Sequence, residues 1–380
     1  MTVKDQRSKQ SVDLLRVLSS LPEDELSNRP RPVLVELASG VDAIYSSGRA
    51  SLPFELVARL EAARADAVAR KERVTFEFGG TEVLMAPHAF GRYHFCLIHQ
   101  YGRIGITTSP VLPTFRIQPL AEFLHGSGPR AATAWFHSLL EEERHLVQLS
   151  VSRIDLFADF QGWILDVDDR KSFVFRSDDL ATHETSGGFN GLRFGRRGAG
   201  AISARIYDKT IELQKSGSIY WIDIWGEAFI PGQPVLRVEF ELGASTLRQF
   251  DLVGPEETLD AAGSLWGYLT SSWTSHRVPS EDKTRSRWPE SPEWAYVRRA
   301  SIGENDWGIT RVYAAKRKAS LSRIMPGLVG YLASYGALIN ATSFAELVVE
   351  LGGEIPWYGV DTGETFEERI QRKRKGFGLP

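Results

Sequence analysis

Three segments of this chain alternate apolar and polar residues with period two, and each predicts a strand with one greasy and one polar face. In the first, Ile154, Leu156, Ala158 and Phe160 face one way, and Arg153, Asp155 and Asp159 face the other. In the second, Ala204 and Ile206 oppose Arg205, Tyr207 and Lys209. In the third, Leu236, Val238, Phe240 and Leu242 oppose Arg237, Glu239 and Glu241. One antiparallel sheet built from all three would bury the apolar face. Its other face would collect a tyrosine, four carboxylates and several cations.

The rest of the pattern is mixed. Residues 8–21 suit a short helix, and Arg29-Pro30-Arg31-Pro32 breaks it. Residues 54–70 have helical periodicity and many alanines. Gly79-Gly80 between the runs 74–78 and 81–85 signals a hairpin. Strands continue at 93–99 and 114–118, and 121–149 is mostly helical. A tryptophan-rich connection follows the tyrosine strand. After residue 250 the chain predicts helices at 256–274, 292–301, 321–335 and 343–351, with a loop at 275–290 and a basic, mobile tail at 369–375. The expectation is an α+β fold, an antiparallel sheet with helices on one face, followed by a helical C-terminal region. The expected domains are a partly disordered N-terminal region with short helices (1–70), an α+β catalytic domain (71–252) and the helical region (253–380).

Composition narrows this reading. The chain has 380 residues, 42% of them hydrophobic, so a sizeable core is available. A net charge of −3 gives no global basic field, so any nucleic-acid contact must be a local groove. The single cysteine, Cys96, excludes an internal disulfide and a cysteine-rich zinc site, and reads as a buried apolar residue. No apolar leader and no bilayer-length run is present, so a cytoplasmic protein with no membrane partner is expected.

The candidate chemistry lies on the polar face. A tyrosine between two cations is placed to meet a phosphate. Its phenol has an ordinary pKa of about 10, and Arg205 and Lys209 beside it favour the phenolate. A hard cation, Mg²⁺ or Mn²⁺, would need oxygen ligands; Asp155 and Glu239 are central, with Asp159 and Glu241 next. Arg193, Arg196 and Arg197 sit among Gly195, Gly198 and Gly200, either a flexible hairpin or a phosphate-gripping loop. Lys316, Arg317 and Lys318, with Arg311 and Arg323, form a second basic cluster. The plain alternative is a packing tyrosine among cross-strand ion pairs. His88, His94, His99 and His183 read as structural or solvated, with His94 kept as a minor option.

The segments Ser152-Arg153-Ile154-Asp155-Leu156, Arg205-Ile206-Tyr207-Asp208-Lys209 with Glu212, and Arg237-Val238-Glu239-Phe240-Glu241-Leu242 resemble the replication initiation factor family. That family holds rolling-circle initiators of plasmids and phages and related relaxases of conjugative elements. The likeness spans about residues 74–300 and is specific only in the Arg-Ile-Tyr-Asp-Lys segment. It implies a relaxase-like fold and metal-dependent nicking and joining of DNA. Tyr207 would be the nucleophile, Asp155 and Glu239 the metal acids, and Arg205, Lys209 and Arg237 the groups facing phosphate charge. Arg153 and the glycine–arginine loop would hold the strand. The expected partner is single-stranded or hairpin origin DNA, and a host helicase and a homodimer are compatible with the reading. The chain lacks the His-hydrophobe-His motif of the better-known relaxases. A conjugative or mobilisation relaxase and a non-catalytic DNA-binding regulator are the alternatives.

Overall fold

The computed structural model describes residues 34–143, 148–185, 188–198, 201–218, 220–303, 321–362 and 365–377. The chain divides into two units, Met1–Thr310 and Arg311–Pro380. The first unit begins with β1 (Val35–Gly48), α1 (Phe54–Arg70), β2 (Val74–Phe78), β3 (Thr81–Met85), β4 (Phe95–His99), β5 (Gly102–Ile106) and β6 (Phe115–Pro119). It continues with α2 (Ala121–Ser127), α3 (Pro129–Glu142), β7 (Ser150–Gln161), β8 (Phe173–Phe175), β9 (Leu180–Thr185), β10 (Gly188–Phe194) and β11 (Ile202–Asp208). It ends with α4 (Lys209–Ser216), α5 (Tyr220–Trp225), β12 (Leu236–Gly243), α6 (Pro255–Asp260), α7 (Ala262–Tyr268), β13 (Thr274–His276) and α8 (Pro292–Val297).

Among the described residues, eleven strands form one sheet in the order β2-β3-β4-β5-β6-β1-β7-β12-β11-β10-β9, and β13 pairs with β8. Every pairing in the large sheet is antiparallel. The fold is α+β, as the alternation predicts. Ile154, Leu156, Phe160, Ile206, Val238 and Phe240 are buried in one cluster with Leu265, Trp266 and Trp294 from the helices after β12. A second cluster joins α1 and α3 to the other half of the sheet through Leu60, Phe136, Phe78 and Ile117.

Three expectations are corrected here. Residues 35–48 are not part of a loosely ordered N-terminal region; they form β1, in the middle of the sheet. Its register slips three times, between Glu36 and Ala38, Val41 and Ala43, and Tyr45 and Ser46. Those bulges break the period-two pattern, so the sequence does not advertise a strand. The helices up to α8 belong to the sheet's core, so the boundary falls at 310/311 and not at 252/253. The 256–274 helix is two short helices and a wide turn, Leu269–Trp273.

The second unit contains α9 (Leu321–Leu338), α10 (Phe344–Thr362) and α11 (Phe366–Phe377). The basic tail is therefore helical. The expected helix at 8–21 lies outside the described residues.

Candidate functional site

Register places the polar residues in rows across the sheet. Tyr207 on β11 lies opposite Arg237 on β12, which lies opposite Asp159 on β7. Two residues along, Arg205 faces Glu239 and Glu239 faces Phe157. Two further, Glu241 faces Asp155. Arg153 then faces Tyr45 on β1. Side chains two apart share a face, so all of these project from the side opposite the main core.

The row of Tyr207 is two environments. Arg237 and Asp159 are both 0% exposed. Arg237 Nε and Nη2 each donate to Asp159 at 2.7 Å, and Nη1 donates to Asp42 at 3.0 Å. The guanidinium lies 4.3 Å from the Phe157 ring centre and 4.0 Å from that of Trp221. Trp225 Nε1 donates to Asp159 at 2.8 Å. The helix α5 brings Trp221 and Trp225 over this end of the face. Arg237 therefore cannot serve as a phosphate contact, nor Asp159 as a metal ligand: each is the other's buried partner, and both are walled off by aromatic rings. Asp42, which occupies a bulge of β1, is the residue that sequence reasoning missed. Burial raises its carboxyl, but Arg237 and His125 more than offset this and hold it well below the usual range.

Tyr207 itself keeps part of its surface open. Its hydroxyl donates to Glu239 Oε2 at 3.2 Å, and Arg205 pairs with the other Glu239 oxygen. The Arg205 guanidinium lies 5.3 Å from the centre of the Tyr207 ring. Gly191 on β10 faces Tyr207; a Cβ there would meet Tyr207 Cβ at 2.6 Å. Only glycine lets the ring lie where it does. Arg205 favours the phenolate as expected, but it is outweighed. Burial and the Glu239 carboxylate push it well above its ordinary value, and Arg237 and Arg205 recover only part.

Lys209 is also displaced. Asp208 ends β11 by accepting from the backbone N–H groups of Thr210 and Ile211, an N-cap that starts α4. Lys209 is thus the first helical residue, buried, paired with Glu212 and 5.2 Å from the Trp221 ring centre. Burial and Arg237 lower its pKa. An aspartate followed by Lys-Thr was a capping signal present in the sequence.

The remaining acids are held by cations. Asp155 pairs with Arg153, and Glu241 accepts from Arg197 Nε at 3.0 Å and Gly198 N at 2.8 Å. Burial pushes the Asp155 carboxyl up to about 7; Glu239 and Glu241 add to this and Arg153 opposes it. Arg193 and Arg196 both bond Asp179, at 3.1 and 2.9 Å. Gly195 has φ +78°, and a Cβ there would strike Ile202 O at 2.5 Å, so the hairpin between β10 and β11 requires its glycine. Lys316, Arg317 and Lys318 lie outside the described residues.

Among the described residues no three His, Cys, Asp or Glu side chains are grouped to hold a metal. Each expected ligand is engaged by an arginine: Asp155 by Arg153, Glu239 by Arg205, Asp159 by Arg237 and Glu241 by Arg197.

No protein-family model matches this chain. No curated protein sequence matches it either. Among solved structures, a rolling circle replication initiator protein from Geobacillus stearothermophilus is similar at a TM-score of 0.40 and 14% identity, over 67% of this chain and 93% of that one. No helix among the described residues is long and apolar enough to cross a membrane.

Proposed function

We propose that this chain is a DNA strand transferase that starts rolling-circle replication, with Tyr207 as its nucleophile. The observation carrying the reading is the Tyr207–Glu239–Arg205 constellation, in which a buried Glu239 is bonded to a half-buried tyrosine and a half-buried arginine. The Arg-Ile-Tyr-Asp-Lys resemblance supports the choice of substrate.

Glu239 Oε2 accepts the Tyr207 hydroxyl hydrogen bond at 3.2 Å and is placed to take the proton as the phenol oxygen attacks. The Tyr207 oxygen bonds to phosphorus, the bond from phosphorus to the 3′ oxygen breaks, and that oxygen takes a proton from water. The products are a 5′-phosphotyrosine and a free 3′-OH that primes synthesis. Attack by a 3′-OH on the phosphotyrosine reverses the chemistry and rejoins the strand. Arg205 meets the charge that grows on the phosphoryl oxygens. A conjugative relaxase would use the same steps.

The test is adduct formation on labelled single-stranded oligonucleotides that tile the element's origin, with and without Mn²⁺, read on denaturing protein gels. Wild type should form an adduct that Tyr207→Phe does not. An adduct in Tyr207→Phe moves the nucleophile elsewhere. A second reading, a DNA-binding regulator without catalysis, draws on the raised phenol pKa and the arginine-engaged acids. It requires sequence-specific binding with no adduct from wild type.

A further inference from the structure

The polar face has a charge asymmetry along its length. Around Tyr207, Arg153, Arg193, Arg196, Arg197, Arg205 and Arg237 all have carboxylate partners. Toward β1, β6 and β5 the same face continues. Gln118 Nε2 donates to Tyr45 Oη at 2.9 Å, and the Tyr45 ring centre lies 5.2 Å from the Arg153 guanidinium. Arg103 lies opposite Gln118 across β5 and β6, and Arg116 lies opposite Ser47 across β6 and β1. Arg116 sits 4.9 Å from the Phe90 ring centre. Arg49 and Arg92 join Arg116 in the electrostatic surroundings of Tyr93. None of Arg49, Arg92, Arg103 and Arg116 has a carboxylate within ion-pair distance among the described residues. Among the described residues these four guanidinium groups thus lack a carboxylate partner, although Arg49 already donates to the carbonyls of Pro110 and Val111 at 3.0 and 3.1 Å.

We propose that this end of the face is the anchor for single-stranded DNA, holding the strand as it runs on from the phosphate at Tyr207. The inference rests on the nicking reading for its substrate, and names where that substrate gains its binding energy. Arginines without a carboxylate partner attract phosphates, and Tyr45 offers a ring on which a base can stack. The two regions are joined by β1, β7 and β12, about 20 Å across at the usual strand spacing. A strand of several nucleotides reaches from one to the other. The compensated arginines near Tyr207 position the reacting phosphate and add little net attraction.

The experiment uses the full chain and fluorescent oligonucleotides of about 8 and about 25 nucleotides, a range set by common single-strand site sizes. Binding is followed by anisotropy at several salt concentrations, for wild type and Arg103→Glu/Arg116→Glu. Wild type should bind the long oligonucleotide at least tenfold more tightly than the short one. The double variant should lose that advantage, with a salt slope shallower by about 1.4, from ~0.7 per lost phosphate contact. Both residues are outside the core, so melting should be unchanged. Equal affinity of the two proteins for the long oligonucleotide overturns the proposal. So does an equal loss on both lengths. Adduct formation on the short oligonucleotide is scored separately: its absence from wild type would sink the nicking reading while the anchor is still decided by binding.

Discussion

Arg237 and Asp159 face each other across β12 and β7 in a two-pronged pair, both bonds at 2.7 Å, with neither residue exposed to solvent. The pair explains why α5 closes over this end of the sheet: its tryptophans cover a guanidinium and satisfy a carboxylate. Removing one member leaves the other charged and buried. Arg237→Met should cost about 3–5 kcal/mol in urea unfolding. It should leave the salt dependence of DNA binding unchanged. A shallower salt slope at unaltered stability would return Arg237 to a phosphate-contact role.

Glu239 is the proton acceptor of the proposed attack. Glu239→Gln retains the shape and loses the base. Adduct formation should fall by about 10²–10⁴, the range for loss of a general base. Oligonucleotide affinity should hold or rise, since one negative charge leaves the face. A rate within threefold of wild type would mean that Tyr207 gives its proton to another group.

Gly191 keeps Tyr207 in place from the neighbouring strand. In Gly191→Val the new side chain would have to enter space where Ile206 O lies 2.4 Å from the Cβ position and Tyr207 Cβ lies 2.6 Å from it. The strand must shift, at about 1–3 kcal/mol. Adduct formation should drop more steeply than binding does. Equal losses in both would mark a general unfolding instead.

Asp155 gives a pH dependence whose sign can be worked out. Burial holds its folded pKa near 7, against about 3.9 in an unfolded chain. Between about pH 4 and pH 7 the folded protein keeps a proton that the unfolded chain has lost. Stability from this group is therefore full below pH 4 and is lost as pH rises to 7, by up to about 1.4 kcal/mol per unit. Urea midpoints from pH 4.5 to 7.5 should show a downward component in wild type that is missing in Asp155→Asn. Parallel curves for the two proteins would assign the dependence to other groups.

Much of the scaffold was legible in the alternation. The apolar faces of β7, β11 and β12 are one-sided, and a buried sheet demands that, so the polar set had to share the other face. The hairpin at Gly79-Gly80 and α1 followed from local propensity. Tyr207, Arg205 and Glu239 were grouped by period alone. What the chain order could not convey is which polar residue meets which. Asp159 and Glu239 have the same alternation and the same chemistry on paper. Register sets one against Arg237 beneath two tryptophans, and the other against Arg205 and a half-open tyrosine. Likewise β1 hides its period in three bulges, yet it supplies Asp42 and Tyr45 from the centre of the sheet. Period-two patterning is a property of a few consecutive residues, so the sequence carries it. Burial, ion pairing and the height of a pKa depend on neighbours from other strands, and only tertiary packing decides those.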